Sequence, residues 1–424
     1  MPEPIIASGE GRAAYENRLL ALLFLTFGCV FFDRLAITFL FPQIADELNL
    51  TNSHLGILSS VLALTWAIFG FVLPSWADAR GTRKPMLIAA VVVFSLTSAL
   101  SGAVSGFASL LLIRALMGVA EGPVLPLAQT LMASASSDSR RGLNMGLLQG
   151  SAAGLFGSVL APPIIVAVSG TLGWRAAFYV SCVPGLILAF LLWRYINVPA
   201  PAIRAKAATA AARPGVLHAV RELLRYRNIV VCLAIGCAYI AWFILIVSFA
   251  PTFLIRQKHF SNTTMGWVMS ALGLAHVFWG FAVPWISDRI GRKPAMIIFT
   301  ATAVLAPLAL IHIDSPVLLA DALLLTYTGL GCFTIFMSTI PAETVPARYI
   351  ATAIGMIMGL GEIVGGFFAP MIAGYAADIH GLTMPFWIST AGAAIALVLS
   401  LFLVETAPRK LAAEGPVTAA VETQ

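Results

Sequence analysis

Long apolar runs alternate with short polar breaks along the whole chain. Twelve runs can be drawn, near residues 19 to 41, 53 to 77, 86 to 105, 109 to 133, 142 to 168 and 174 to 194, and then near 229 to 254, 262 to 286, 294 to 312, 316 to 342, 350 to 378 and 383 to 405. Roughly 20 helical residues cross a hydrocarbon core about 30 Å thick, and in lipid a helix satisfies every backbone group within one segment. The pattern therefore predicts an all-α membrane protein with twelve transmembrane helices, called spans 1 to 12 below. They form two six-helix bundles, 19–194 and 229–405, with cytoplasmic tails at 1–18 and 406–424 and a cytoplasmic linker at 195–228.

The two halves repeat each other in detail. "GFVLPSWADARGTRKP" begins at Gly70 and "GFAVPWISDRIGRKP" at Gly280, 210 positions later, and both close a span, the second and the eighth. Asp78 and Asp288 fall at helix C-termini, whose partial negative charge disfavours an acid by a few tenths to ~1 kcal/mol. Each aspartate therefore needs a partner. Spans 5 and 11 begin at the same face, so their positive N-termini and the nearby Arg141 or Arg348 are natural candidates. The glycine and the basic residues that follow, Arg80 and Arg83 in one copy and Arg289 and Arg292 in the other, predict a tight charged turn. A purely topogenic role for these charges leaves the in-register recurrence of Gly, Pro and Asp unexplained.

Composition agrees: 59% of the 424 residues are hydrophobic and 10% are charged. With both termini in the cytoplasm, 20 of the 25 Lys and Arg residues fall in cytoplasmic segments, as the positive-inside rule requires. Topology thus accounts for the net charge of +6, and no nucleic-acid partner is called for. The five cysteines are scattered through predicted spans and form neither a disulfide framework nor a zinc signature. No cleavable signal is apparent. The linker, with "PAPAIRAKAATAAARPG", reads as a mobile tether followed by a short interfacial helix around "VRELLRYR".

Ionisable residues deep in spans are expensive and are functional candidates by default. Span 1 holds Asp33 and Arg34, span 4 holds Arg114 and Glu121, and span 11 holds Glu362. Asp33 and Arg114 lie at similar depth, and Glu121 is two turns beyond Arg114 on the same face, near the midplane. The four charges are expected on one water-accessible stripe. A set of ion pairs that merely stitches spans 1 and 4 together is the structural alternative, but apolar packing would avoid that desolvation. His276 in span 8 reads as a core histidine before a proton relay. Gln149, Gln129 and Tyr239 are either interhelical glue or substrate contacts, with Gln149 and Tyr239 kept as candidates for the latter. Asp314 and Asp321 fall near outer helix ends, where a solvated role is the default.

Charge bookkeeping suggests a mechanism. Ionised Asp33, Arg34, Arg114 and Glu121 sum to zero, so an anion entering alone leaves one uncompensated negative charge. Protonating one carboxylate restores neutrality. Proton and anion should therefore bind and leave together, with a reciprocal coupling free energy.

The turn "DRIGRKP" resembles the signature between the second and third, and eighth and ninth, helices of the major facilitator superfamily; "DARGTRKP" departs from it by Ala79 and one added residue. The resemblance covers essentially the whole chain and implies the major facilitator fold, with Asp78, Asp288 and the basic residues around them locking a cytoplasmic gate. "FFDRLAITFLFPQIADEL", "RALMGVAEGPVLP" and "LAPPIIVAVSGTLGWRAAF" are similar to the anion:cation symporter family within it, whereas "PAETVPARYIATAIG" and "GEIVGGFFAPMIAG" resemble other carboxylate and aromatic-acid symporters as much. That resemblance implies proton-coupled uptake of an organic anion, with Asp33 and Glu121 as proton carriers and Arg34 and Arg114 binding or switching the anion. The exporters' G-x-x-x-G-P pattern is absent, since Gly154 is followed by Leu155.

The expectation is a monomeric bacterial inner-membrane importer of a small organic carboxylate, a sugar acid or an aromatic acid, by proton symport and alternating access. Membrane lipid surrounds it, protons are the coupling ion, and no other cofactor and no metal are called for. The alternatives are an organic anion exporter or exchanger and, more remotely, a transport-like sensor, although no sizeable signalling domain is seen. No nucleophile with a base appears, so an enzyme is not expected.

Overall fold

The structure, a computed structural model, describes residues 11–137, 140–196, 216–346, 349–408 and 410. Among them, eleven helices are long and apolar enough to cross a membrane: span 1 Ala13–Leu48, span 2 Asn52–Arg80, span 3 Arg83–Ser101, span 4 Phe107–Ala135, span 5 Ala153–Leu172, span 6 Trp174–Tyr195, span 7 Arg227–Arg256, span 8 Asn262–Ile290, span 9 Arg292–His312, span 10 Pro316–Thr344 and span 11 Thr352–His380. Span 12, Met384–Ser400, is a further apolar helix of 17 residues. The all-α, twelve-helix expectation holds. Several helices outrun their apolar runs, because intrahelical hydrogen bonding continues into polar sequence until a residue breaks it. At the ends of spans 2 and 8 the breakers are Gly81 and Gly291, at φ +68° and +103°, a conformation that costs a side chain-bearing residue about 1 kcal/mol or more. The tight turn read from the repeat is thus present in both halves.

Two units make up the chain. The first comprises residues 1–50 and 61–213, and the second 51–60 and 214–424. Within the first, span 3 packs on span 6, and span 1 on spans 5 and 6. Within the second, span 9 packs on span 12, and span 7 on spans 11 and 12. The pairings repeat with an offset of six spans, the packing counterpart of the sequence repeat. The core of the first unit is built from Leu23, Phe27, Val30, Phe94 and Leu192, all buried.

The helical irregularities repeat as well. Span 4 breaks at Gly122 and Pro123, and span 10 at Tyr327 and Thr328. π-Helical turns occupy Leu147–Ser151 and Ala153–Leu160 at span 5, and Glu362–Phe368 in span 11; shifting the first pair by 210 positions covers the last. Such turns frequently mark functional sites. The linker region 197–215 lies outside the described residues. The short helix that follows it, Val216–Leu223, packs Ala219 and Leu223 against Val345, Tyr349 and Ala353 of the second unit.

Candidate functional site

Spans 1 and 4 bring the four predicted charges of the first unit together. Asp33 and Arg114 are 1% exposed and Glu121 is 0% exposed, while Arg34 is half-buried. The side chains are close enough that Arg114 feels Asp33, Glu121 and Arg34, and Glu121 feels both arginines. The expected stripe is not open to water here: three of its four members are sealed. Glu121 is the last residue before the break in span 4, at the middle of that 29-residue helix.

What distinguishes this cluster is unused hydrogen-bonding capacity. The Arg114 Nη1 group reaches the Arg34 carbonyl oxygen at 3.4 Å and the Met117 sulfur at 3.6 Å. Its Nε and Nη2 groups, both oxygens of Asp33 and both oxygens of Glu121 have no hydrogen-bond partner. More than 90% of buried polar groups are ordinarily satisfied, and ion pairs that only stitched the helices together would be saturated. Six unmet atoms on three neighbouring buried residues set this cluster apart from the paired charges elsewhere among the described residues.

Sequence reasoning missed the frame around this cluster. An added Cβ at Gly118 would come within 2.6 Å of the Leu62 oxygen, and one at Gly122 within 2.5 Å of the Trp66 oxygen, so two small residues let spans 4 and 2 touch along their backbones. That contact carries Trp66 to Arg34. The guanidinium carbon of Arg34 lies 5.3 Å from the Trp66 ring and 5.7 Å from the Phe31 ring, within cation–π range. The Trp66 indole N–H has no acceptor. The Gly118 and Gly122 spacing was the available signal for this approach.

At the repeated turns, Arg83 pairs with Asp78 through its Nε, and Arg292 Nη1 pairs with Asp288 at 2.6 Å. Each aspartate is thus held from the first residue of the following span. Arg80 and Arg289 lie instead over Trp76 and Trp285, at 4.2 and 3.3 Å from the ring centroids. The side chain of Arg141, and Arg348 altogether, lie outside the described residues. The second turn is anchored further by two acids, Glu343 and Glu405, that belong to no repeated sequence motif. Glu343 accepts from Arg292 Nη2 at 2.9 Å, and Glu405 accepts from the Arg292 backbone N–H at 2.7 Å.

In the second unit Tyr239 is fully buried. It stacks on Trp242 at 4.9 Å, and Trp242 stacks in turn on Tyr327 at 5.0 Å. The hydroxyls of both tyrosines are without a hydrogen-bond partner. His276 is half-buried with its ring 6.3 Å from Phe243. Glu362 opens the π-helical turn of span 11. Gln149 lies in the π-helical Leu147–Ser151, with its side chain outside the described residues. Between spans 9 and 10, Asp314 accepts from Lys258 at 2.7 Å, which holds its carboxyl below the usual carboxylate range. Among the described residues no group of three or more His, Cys, Asp or Glu could hold a metal.

Among the described residues, twelve apolar helices in a duplicated arrangement, glycine turns at matching positions and a buried charge cluster point to a membrane transporter, and residues 23–369 match the Major Facilitator Superfamily. The chain belongs to that superfamily and is a multi-pass membrane protein. It is 25% identical to the hexuronate transporter of Bacillus subtilis (strain 168), over 80% of this chain and 79% of that one. It is 26% identical to the probable L-galactonate transporter of Escherichia coli (strain K12), over 89% and 86%, and 26% identical to the probable sulfoacetate transporter of Cupriavidus necator (strain ATCC 17699), over 92% and 94%. The crystal structure of a D-xylose–proton symporter superposes with a TM-score of 0.73 at 18% identity, covering 92% of this chain and 99% of that one. These relatives are transporters, not enzymes.

Proposed function

We propose that the protein imports a small organic carboxylate by proton symport, through alternating access, across the bacterial inner membrane with both termini in the cytoplasm. The observation that carries this reading is the set of unpartnered atoms on Asp33, Arg114 and Glu121. Arg114 Nε and Nη2 form one edge of a guanidinium, and such an edge takes both oxygens of a carboxylate in parallel. Asp33 and Glu121 are the acids whose charge the arginines balance when the site is empty. A carboxylate arriving on Arg114 displaces that balance, and a proton on Asp33 or Glu121 restores it. Hexuronate, L-galactonate and sulfoacetate, named in the three relatives, are acid anions, which supports the substrate class; the sugar-acid members of the trio favour a hydroxylated carboxylate. Arg34, with Trp66 and Phe31 against it, is the second cation for such a guest. Asp78, Asp288 and their arginines form the gate turns, and no cofactor beyond the proton is required.

The test is uptake of labelled D-glucuronate, L-galactonate and sulfoacetate into proteoliposomes of purified protein. An inwardly directed proton gradient should drive accumulation of at least one of them above its outside concentration, and a protonophore should abolish it. Accumulation unaffected by collapse of the proton gradient would remove symport from the account.

A further inference from the structure

Spans 2 and 8 end alike, in a way that the paired charges of their turns do not use. Arg80 and Arg289 are exposed, and among the described residues neither pairs with a carboxylate: Asp78 goes to Arg83 and Asp288 to Arg292. Each guanidinium lies instead over a tryptophan one turn back, Trp76 or Trp285, and these rings are themselves 45% and 58% exposed. Behind each tryptophan the same helix face carries further exposed apolar side chains, Ile68 and Val72 on span 2 and Phe278 and Phe281 on span 8. Steps of three or four residues keep each set on one side of its helix. From Ile68 to Arg80 and from Phe278 to Arg289 the stripes run ~18 and ~16 Å at the helical rise per residue, close to the ~15 Å of hydrocarbon in one leaflet.

Interfacial tryptophans are ordinary in a membrane protein, and so is an arginine at a helix C-terminus. The combination is not: an exposed apolar stripe, an aromatic ring at its end and, over the ring, a guanidinium with no acid, present once in each unit. We propose that each combination is a seat for an anionic phospholipid, whose acyl chain lies along the stripe and whose phosphate takes the arginine N–H groups. The tryptophan holds the guanidinium by its face, which leaves the N–H edge for phosphate oxygens. A bilayer covers the stripe with lipid, and charge selects among lipids. Because Asp78 and Asp288 are committed within their turns, they do not neutralise Arg80 and Arg289, and a head group of net negative charge gains about fivefold in affinity per arginine over a zwitterionic one. A head group held there anchors the turn at the membrane surface.

The experiment counts lipids and needs no transported substrate. Native mass spectrometry of purified protein, titrated with phosphatidylglycerol or with phosphatidylcholine, gives the number of lipids bound and their Kd. The wild type should hold two phosphatidylglycerol molecules about fivefold or more tighter than phosphatidylcholine. Arg80→Gln and Arg289→Gln should each lose one of the two, the double variant should lose both, and Arg80→Lys and Arg289→Lys, which keep a phosphate-binding charge, should retain them. Equal affinity for the two lipids in the wild type, or an unchanged phosphatidylglycerol count in the double glutamine variant, overturns the proposal. Inorganic phosphate that stabilises lipid-free wild type against heat as much as phosphatidylglycerol does would assign the arginines to a soluble anion, and overturns it as well. If the double variant does not fold, wild-type protein is reconstituted with brominated lipids: brominated phosphatidylglycerol should quench tryptophan fluorescence more than brominated phosphatidylcholine, and equal quenching is equally fatal.

Discussion

Replacing Arg114 with lysine keeps the positive charge that balances Asp33 and Glu121 and removes the planar fork. In the structure Arg114 Nε and Nη2 are uncommitted, and Nη1 has only the two long contacts to Arg34 and Met117. A carboxylate docked on the free edge would make two charge-assisted hydrogen bonds, where a lysine ammonium offers one point of contact at that position. Loss of one such bond, worth about 1.5–3 kcal/mol, raises Kd about 10- to 150-fold. The assay is ligand-induced thermal stabilisation, confirmed by isothermal titration, with the carboxylate that most stabilises the wild type. At a concentration about 100 times the wild-type Kd, that ligand should stabilise the wild type by about 2.7 kcal/mol. A variant with Kd raised about 100-fold should gain only about 0.4 kcal/mol. Wild-type affinity in Arg114→Lys would refute direct anion binding and return the arginine to a role in holding spans 1 and 4.

Further outcomes test the rest of the site. Trp66→Phe keeps the aromatic face over Arg34 and loses the indole N–H, so it should retain transport with affinity reduced by about tenfold or less, whereas Trp66→Ala frees the guanidinium and should reduce affinity further, both read by uptake kinetics. Glu343→Gln removes the carboxylate on the buried Arg292 and should lower stability by about 1–3 kcal/mol in a melting experiment, with substrate affinity of the surviving protein unchanged. Asp314→Asn should leave the melting temperature unchanged near neutral pH, because that carboxylate is 91% exposed. Whatever the pair with Lys258 contributes is present above the ordinary carboxylate range and fades as pH falls through the lowered value. Uptake of a monoanion at matched pH should be driven by an inside-negative potential, each extra inward charge gaining about 2.3 kcal/mol per 100 mV; indifference to potential would leave one proton per cycle.

The parts legible in the sequence are those in which a residue conflicts with its surroundings. Asp33, Arg34, Arg114 and Glu121 stand out because a charge in an apolar run has few reasons to be there, and the turns at Gly81 and Gly291 stand out because the sequence states them twice. Trp66 was invisible for the opposite reason: a tryptophan in an apolar helix is ordinary, and only the approach allowed by Gly118 and Gly122 turns it toward Arg34. Glu343 and Glu405 belong to no repeated motif in the sequence: one ends span 10 and the other lies in the irregular stretch after span 12, and only the fold brings both to Arg292. The π-helical turns of spans 5 and 11 follow from tertiary packing, and no local pattern announces them.

The central claim is that anion and proton occupy the site together, and proton uptake on anion binding measures it most directly. Purified protein in weakly buffered detergent solution with a pH-indicator dye is mixed with the carboxylate that stabilises it, and the protons taken up per anion bound are counted across pH. The account predicts uptake of about one proton or more per anion where the carboxylates are ionised, an affinity that falls as pH rises in the reciprocal proportion that linkage demands, and no uptake in the Asp33→Asn, Glu121→Gln double variant. Saturating anion binding with no proton taken up, and an affinity flat across the same pH range, would contradict it.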